Sequence, residues 1–148
     1  MIDVTAIPSF IYVLFAPILP DPVPVSIENS KGVTTFQVQI ADDAFSQTFG
    51  LMDRDTMLAD AGMMFVYEES RIVQFWMKNV NFPLDLIFVD ECGRVTQIHA
   101  NAQPNDTTII SPDAPVRAVL EITGGASERV QIKPGDSVVV DDEIFEAC

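Results

Sequence analysis

A buried central strand is predicted by the stretch Pro83-Leu84-Asp85-Leu86-Ile87-Phe88-Val89. Because side chains alternate between the two faces of a strand, this stretch puts apolar side chains on both faces. Strands that are apolar on both faces lie in the middle of a covered sheet. Asp85 needs a partner there, since an unpaired buried carboxylate costs several kcal/mol. We expect an ion pair with Lys78 or Arg54, or a cap on the Phe82-Pro83 turn.

Short apolar runs of period two lie both before and after this strand, beginning at residue 33. They predict strands over residues 33–40, 62–67, 71–79, 84–90, 94–101, 116–123 and 137–141. Glu91-Cys92-Gly93 supplies a hairpin turn, Asp42 or Asp43 can cap a short helix that Gly50 ends, and residues 124–130 predict a second short helix. This pattern predicts a mainly β fold with two short helices. Its architecture is an antiparallel sandwich or a partly closed, jelly-roll-like barrel.

Composition limits both the fold and the partners. A chain of 148 residues fits one domain, and 48% hydrophobic against 20% charged residues exclude general disorder. Eight Lys and Arg against 22 Asp and Glu leave a net charge of -14, which argues against nucleic acid and anionic membrane surfaces as partners. One histidine and two cysteines exclude a zinc finger and an iron–sulfur cluster, so no metal or cofactor is expected.

The two ends differ from the middle of the chain. Residues 1–32 predict an apolar, proline-rich arm, which is a degenerate signal, a membrane anchor, or a segment that associates with a membrane or a second copy through residues 1–30. Residues 33–148 predict a single β-rich domain that ends in an acidic, solvated tail. Cys92 and Cys148 can form one disulfide if the protein is exported. An exported or membrane-associated location is expected, with the cytoplasm as the alternative.

The first candidate site is the stretch Phe75-Trp76-Met77-Lys78-Asn79. Strand alternation puts Trp76 and Lys78 on the same, more polar face. A tryptophan there can stack on a flat or sugar-like ligand, while Lys78 holds a carboxylate or phosphate group. The alternative is a tryptophan that is merely covered by the lysine stem or by the neighbouring loop.

The second candidate is a pair of carboxylates, Asp85 and Glu121. Glu121 shares a face with Arg117 in the strand over residues 116–123, away from the apolar side chains. Two carboxylates that lie close together can act as acid and base in hydrolysis. The alternative is a cross-strand ion pair, with no chemical role.

Several motifs come in the order and spacing of one family. They are Gly50-Leu51-Met52-x-Arg54, Gly62-Met63-Met64-Phe65, Phe75-Trp76-Met77-Lys78-Asn79, Pro83-Leu84-Asp85-Leu86-Ile87-Phe88-Val89-Asp90, Gly93-Arg94-Val95, Val119-Leu120-Glu121 and Pro134-Gly135-Asp136. Over residues 35–140 the chain resembles the bacterial and archaeal family of domain of unknown function 192. The resemblance implies a compact, mostly β fold of sandwich or jelly-roll type and a location in the cell envelope. It carries no activity.

The expected function is a non-enzymatic binding or accessory module of the cell envelope. Its ligand is small, and anionic or carbohydrate-like. The candidate ligand-binding residues are Arg54, Trp76, Lys78, Asn79, Asp85 and Glu121. The alternatives are a hydrolase or lyase that uses Asp85 and Glu121 as acid and base, and a purely structural domain.

Overall fold

The structure, a computed structural model, describes residues 20–141 and 143–148. Within them the elements follow in the order β1 (Val23–Asn29), β2 (Gly32–Ala41), α1 (Ala44–Phe49), β3 (Ala61–Arg71), β4 (Leu84–Val89), β5 (Val95–Ala102), β6 (Val116–Thr123), α2 (Ala126–Arg129) and β7 (Ser137–Val140). None of the helices in this part of the chain has the length and apolar character needed to span a membrane. Of the predicted N-terminal arm, residues 1–19 lie outside the described residues, and residues 23–29 belong to the sheet as β1.

The described strands form one seven-stranded sheet in the order β5-β4-β6-β3-β2-β1-β7. The sheet curls until its edges approach, with Val138 N–H donating to Gly93 O at 2.8 Å and Gly135 N–H to Val95 O at 2.7 Å. The predicted mainly β fold with two short helices is confirmed, in the form of a curled half-barrel rather than a two-sheet sandwich. One neighbouring pair, β2 and β3, is parallel, because α1 and the loop after it form a crossover between them.

Two hydrophobic cores lie on the two faces of this sheet. The inner core joins Val95 on the edge strand β5 to Val138 on the edge strand β7, and it therefore fills the inside of the curl. The outer core contains Leu84 and Leu86 of β4 together with residues of the loops that cover this face. All six residues of β4 are buried, so the predicted central strand is confirmed.

The predicted strand over residues 71–79 is wrong. β3 ends at Arg71, and the chain then crosses the outer core as an irregular segment whose ladder contact is an isolated bridge between Phe75 and Ile110. The alternation of burial persists there, with Phe75 and Met77 buried and Lys78 exposed. Residues 72–83 thus act as a cover for the sheet rather than as a strand in it.

The acidic end of the chain is fastened to the domain by its backbone, while the side chains of Asp141, Glu143 and Glu146 are exposed. β7 pairs with β1, and Glu146 N–H donates to Glu91 O at 2.7 Å. A disulfide joins Cys92, in the β4–β5 turn, to Cys148. The last described residues therefore close the seam where the two sheet edges meet.

Candidate functional site

Asp85 lies on the inner face of β4 and is fully buried. Its Oδ1 accepts from Asn101 N–H at 2.7 Å and from Gly125 N–H at 3.1 Å, and its Oδ2 accepts from Ser127 N–H at 2.9 Å and Ser127 Oγ–H at 2.6 Å. The N–H groups at the start of a helix have no partner within the helix, and here the carboxylate satisfies them. Asp85 therefore ties β5 and the beginning of α2 to the central strand.

The expected ion pair of Asp85 with Lys78 or Arg54 is wrong, as is the cap on the Phe82-Pro83 turn, because backbone N–H groups and a hydroxyl take their place. The pairing of β4 with β6 sets Leu86, not Asp85, opposite Glu121. Side chains of successive residues point to opposite faces, so the two carboxyl groups are separated by the sheet. A single substrate bond cannot lie between them.

Glu121 lies instead in a row of side chains across the outer face. Its cross-strand neighbours are Met63 on β3 and Leu86 on β4, and Met63 is in turn opposite Gln39 on β2. Directly opposite residues share a face, and neighbouring strands are about 4.8 Å apart. Gln39 and Glu121 are therefore two strands apart on one surface.

The Glu121 side chain is fully buried, and neither carboxyl oxygen has a hydrogen-bond partner among the described residues. Burial among apolar neighbours raises the pKa of this carboxyl from 4.5 to about 8. The group is accordingly protonated at neutral pH. The expected cross-strand ion pair is wrong, because the outer core covers a position that alternation alone placed on a polar face.

Three more buried polar atoms without a partner in the described chain lie on this side of the sheet, Trp76 Nε1, Arg117 Nε and Thr123 Oγ1. Thr123 follows Glu121 by two residues on β6, so the two side chains share a face, and Thr123 is opposite Leu84 on β4. Trp76 packs against the outer core, and Lys78 Nζ lies 5.2 Å from the centroid of its ring system, within cation–π range.

Arg54 reaches the same row from the loop before β3. Its Nη2 donates to Gln39 Oε1 at 2.8 Å, and partial burial lowers its pKa. This loop is held to the turn after residue 78, since Asp53 N–H donates to Asn79 O at 2.9 Å and Asn81 Nδ2 to Arg54 O at 3.2 Å. Asn79 itself is exposed with φ of 59°, a left-handed conformation that asparagine tolerates.

The outer side of the sheet thus carries Arg54, Trp76, Lys78 and Glu121, with Asn79 in the adjoining turn, whereas Asp85 is on the inner face. Sequence reasoning missed Gln39 and Thr123. The spacing of Thr123 from Glu121 was enough to place both on one face, but Gln39 required the strand register. In residues 20–141 and 143–148, no cluster of three or more His, Cys, Asp or Glu side chains is suited to a metal ion.

Two crystal structures resemble this fold closely. One is a protein of unknown function from Novosphingobium aromaticivorans DSM 12444, with 38% identity, a TM-score of 0.79, and 85% of this chain and 94% of that chain covered. The other is described as a proposed transcription regulator from Sinorhizobium meliloti 1021, with 34% identity, a TM-score of 0.80, and 84% and 97% of the two chains covered.

No curated protein matches the chain. The match to a family covers residues 25–140, from β1 to β7, and the family is described as "Uncharacterized ACR". The matched range includes all the motifs on which the resemblance to domain of unknown function 192 was based. On this match the chain belongs to the DUF192 family.

Proposed function

We propose that this protein is a non-enzymatic module that binds a small ligand at the outer face of its sheet and works in the cell envelope. The observation that carries the proposal is the group of buried polar atoms on Trp76, Glu121 and Thr123 that lack partners in the described chain. Leaving a buried polar group unpaired costs about 1–3 kcal/mol. A bound molecule with complementary polar atoms would remove that cost.

Asp85 provides an internal comparison that favours binding over a purely structural role for this cluster. It is as deeply buried as Glu121, yet it accepts four hydrogen bonds from protein groups. Buried groups that serve structure alone are normally satisfied in this way. Glu121 has none, which is the arrangement expected of a group that receives its partner from outside.

The surrounding side chains suggest a small anionic or carbohydrate-like ligand. Trp76 offers an aromatic surface for stacking, while Lys78 and the half-buried Arg54 offer positive charge. Arg54 donates to the neutral Gln39, so its charge is available to an anionic group. Asn79 lies in the turn beside them and can orient the ligand.

The opposite orientation of Asp85 and Glu121 weighs against the acid–base hydrolase alternative. The relative from Sinorhizobium meliloti is described as a proposed transcription regulator. For this chain, the net charge of -14 opposes direct contact with DNA phosphates. A regulatory role would therefore act through a small ligand or a protein partner.

The disulfide between Cys92 and Cys148 supports an envelope location, since disulfides persist in oxidising compartments outside the cytosol. We propose that residues 1–19 provide membrane association or self-association. Fractionation and sedimentation of the full chain, compared with a chain lacking residues 1–19, test this role. An unchanged membrane fraction and oligomeric state would contradict it.

Ligand binding can be followed at the site itself, because Trp76 is the only tryptophan. We expect at least one member of a panel of oligosaccharides and small organic acids to change Trp76 fluorescence and raise Tm. Arg54→Gln should weaken that binding about tenfold or more, since hydrogen bonds to charged groups contribute about 1.5–3 kcal/mol. The exposed Arg129→Gln, on α2, is the matched control and should leave the affinity unchanged. A panel without any response would contradict the proposal.

A further inference from the structure

We propose that the ligand of the outer-face site carries a carboxylate, which Glu121 holds as a hydrogen-bond donor through its own carboxylic O–H. This inference rests on the proposed binding function and names the chemical class of the ligand. It begins from the buried polar atoms of the site, which favour one kind of partner.

Donors predominate among the polar groups of this site. Of the atoms without a partner in the described chain, Trp76 Nε1–H and Arg117 Nε–H can only donate, and the Thr123 hydroxyl can donate as well as accept. The guanidinium of Arg54, which donates one hydrogen bond to Gln39, can also only donate. A neutral Glu121 adds another O–H donor. Their complement is a group that only accepts, and a carboxylate supplies two such oxygens in the plane that a guanidinium can meet.

Charge favours the same answer. The cations on this side of the sheet are Arg54, Lys78 and Arg117, and Tyr67 and His99 lie on the same side. The nearby acids are Asp106, which accepts from Thr108 N–H beside His99, and the exposed Asp53 and Asp55, which flank Arg54 in its loop. A cationic ligand would approach Arg54 and Lys78 against their charge, whereas an anion is attracted by both.

Glu121 remains protonated because of where the sheet puts it. Its row neighbours Met63 and Leu86 are apolar and fully buried, and β4 presents leucine and phenylalanine along this face. No described donor reaches either carboxyl oxygen, so no hydrogen bond within the described chain stabilises the ionised form, and desolvation is the largest influence on its pKa. A neutral carboxyl can share its proton with a ligand carboxylate, whereas two ionised carboxylates would repel each other.

The ligand must also have an apolar body. Glu121 has no contact with solvent, so the ligand reaches it when the partly buried side chains packed on the outer core move apart; these are Met52, Met57, Tyr67, Trp76 and Phe82. Methionine side chains are flexible and re-pack readily around another molecule. An aromatic carboxylate fits both the polar and the apolar parts of the site.

Benzoate, benzamide, benzylamine and phenyl phosphate are matched probes for this class. Each is titrated into the full chain at pH 7 and pH 9, with Trp76 fluorescence and calorimetry as readouts. We expect benzoate to bind best, and its affinity to fall about tenfold between pH 7 and pH 9 as Glu121 loses its proton with a pKa of about 8. Glu121→Gln keeps an N–H donor but cannot ionise, so its affinity for benzoate should stay constant over this range.

Three results would overturn this inference. They are tighter binding of benzylamine or phenyl phosphate than of benzoate, a benzoate affinity that does not change with pH in the natural chain, and the same pH dependence in Glu121→Gln. If other members of the oligosaccharide and acid panel bind while the carboxylates do not, the ligand class is wrong and the binding function stands. If no compound binds, the proposed function itself fails.

Discussion

Two carboxyl side chains on adjacent central strands have opposite surroundings in this protein. Asp85 accepts four hydrogen bonds on the inner face, and Glu121 has no described partner on the outer face. The cause is register, since β4 and β6 pair with Leu86 opposite Glu121 and thereby turn the two side chains to different faces. One carboxyl group therefore holds the fold together, and we propose that the other binds a ligand.

Glu121 makes the stability of the folded chain depend on pH in an unusual direction. Its pKa is about 8 when folded and 4.5 in the reference state, so between these values the folded chain holds a proton that the unfolded chain has lost. Stability from this group therefore falls as pH rises from about 5 to 8, by roughly 1 kcal/mol per pH unit, and levels off above that range. Urea unfolding of the natural chain and of Glu121→Gln at several pH values measures the difference.

We expect the stability of Glu121→Gln, relative to that of the natural chain, to increase as pH rises from about 5 to 8. The exposed Glu28→Gln on β1 is a matched control, because it also replaces one carboxyl by an amide but lies far from the outer core. Parallel pH profiles for Glu121→Gln and the natural chain would contradict the burial of an unpaired carboxyl.

Asp85→Asn should destabilise the fold by about 3 kcal/mol, because the amide NH₂ faces backbone N–H groups and leaves buried donors unpaired. Ser127→Ala removes the hydroxyl partner alone, at 2.6 Å, and should cost about 1 kcal/mol. Chemical unfolding measures both. Since Asp85 faces the inner core, neither variant should abolish the Trp76 response to a ligand that binds the natural chain. Equal stabilities for the two variants would contradict the role assigned to the carboxylate.

At the scale of residues, the sequence predicted which side chains are unusual but not always why. The need of Asp85 for a partner followed from its place in an apolar strand, and the proximity of Lys78 to Trp76 from their spacing. The partners of Asp85 were not predictable, because they come from α2 and β5, far along the chain. The burial of Glu121 depends on the outer core, to which residues 72–83 contribute, and this is a tertiary feature that strand periodicity does not contain.

At the scale of elements, local periodicity predicted β4, β5 and β6 and the hairpin turn between the first two. It failed for residues 71–79, because a segment that covers a sheet alternates between buried and exposed in the same way as a strand. It also could not show that β2 and β3 are parallel. That orientation depends on α1 and the following loop, which bring the chain back to the same end of the sheet.

The start of α1 is fixed by Asp43, whose carboxylate accepts from Phe45 N–H and Ser46 N–H at 2.9 Å each. The hydrogen bonds to Ser46 lower the pKa of Asp43 below 3.8. Asp43→Ala should cost about 1 kcal/mol at neutral pH. Because the folded pKa lies below 3.8, the cost should shrink as pH falls below 3.8 and the carboxylate becomes protonated. The neighbouring, exposed Asp42→Ala is the control in urea unfolding. Equal losses for the two variants would contradict the cap.

At the scale of the whole molecule, the site and the seam lie in different regions. The outer face, covered by loops, carries the unpartnered polar atoms. The seam joins the β4–β5 turn to β7 and the last residues, where a Cβ on Gly93, with φ of 74°, would lie 3.0 Å from Val138 O and 3.1 Å from the ring of Phe145. The seam therefore requires glycine, and it stabilises the curl without touching the candidate site.

The disulfide of this seam should supply a large share of the stability of the domain. It closes a loop with a sequence separation of 56 between Cys92 and Cys148, for which the loss of chain entropy in the unfolded state predicts about 4 kcal/mol. We expect reduction, or the double change Cys92→Ser and Cys148→Ser, to lower the free energy of unfolding by up to about this amount in guanidinium titrations. Cys92→Ser alone should have an equal effect, since either change removes the same bond.

Because the seam is remote from the outer face, a ligand that changes Trp76 fluorescence should still do so in the reduced, folded chain. Coincident unfolding curves before and after reduction would show that hydrogen bonds between the two sheet edges suffice to hold the curl.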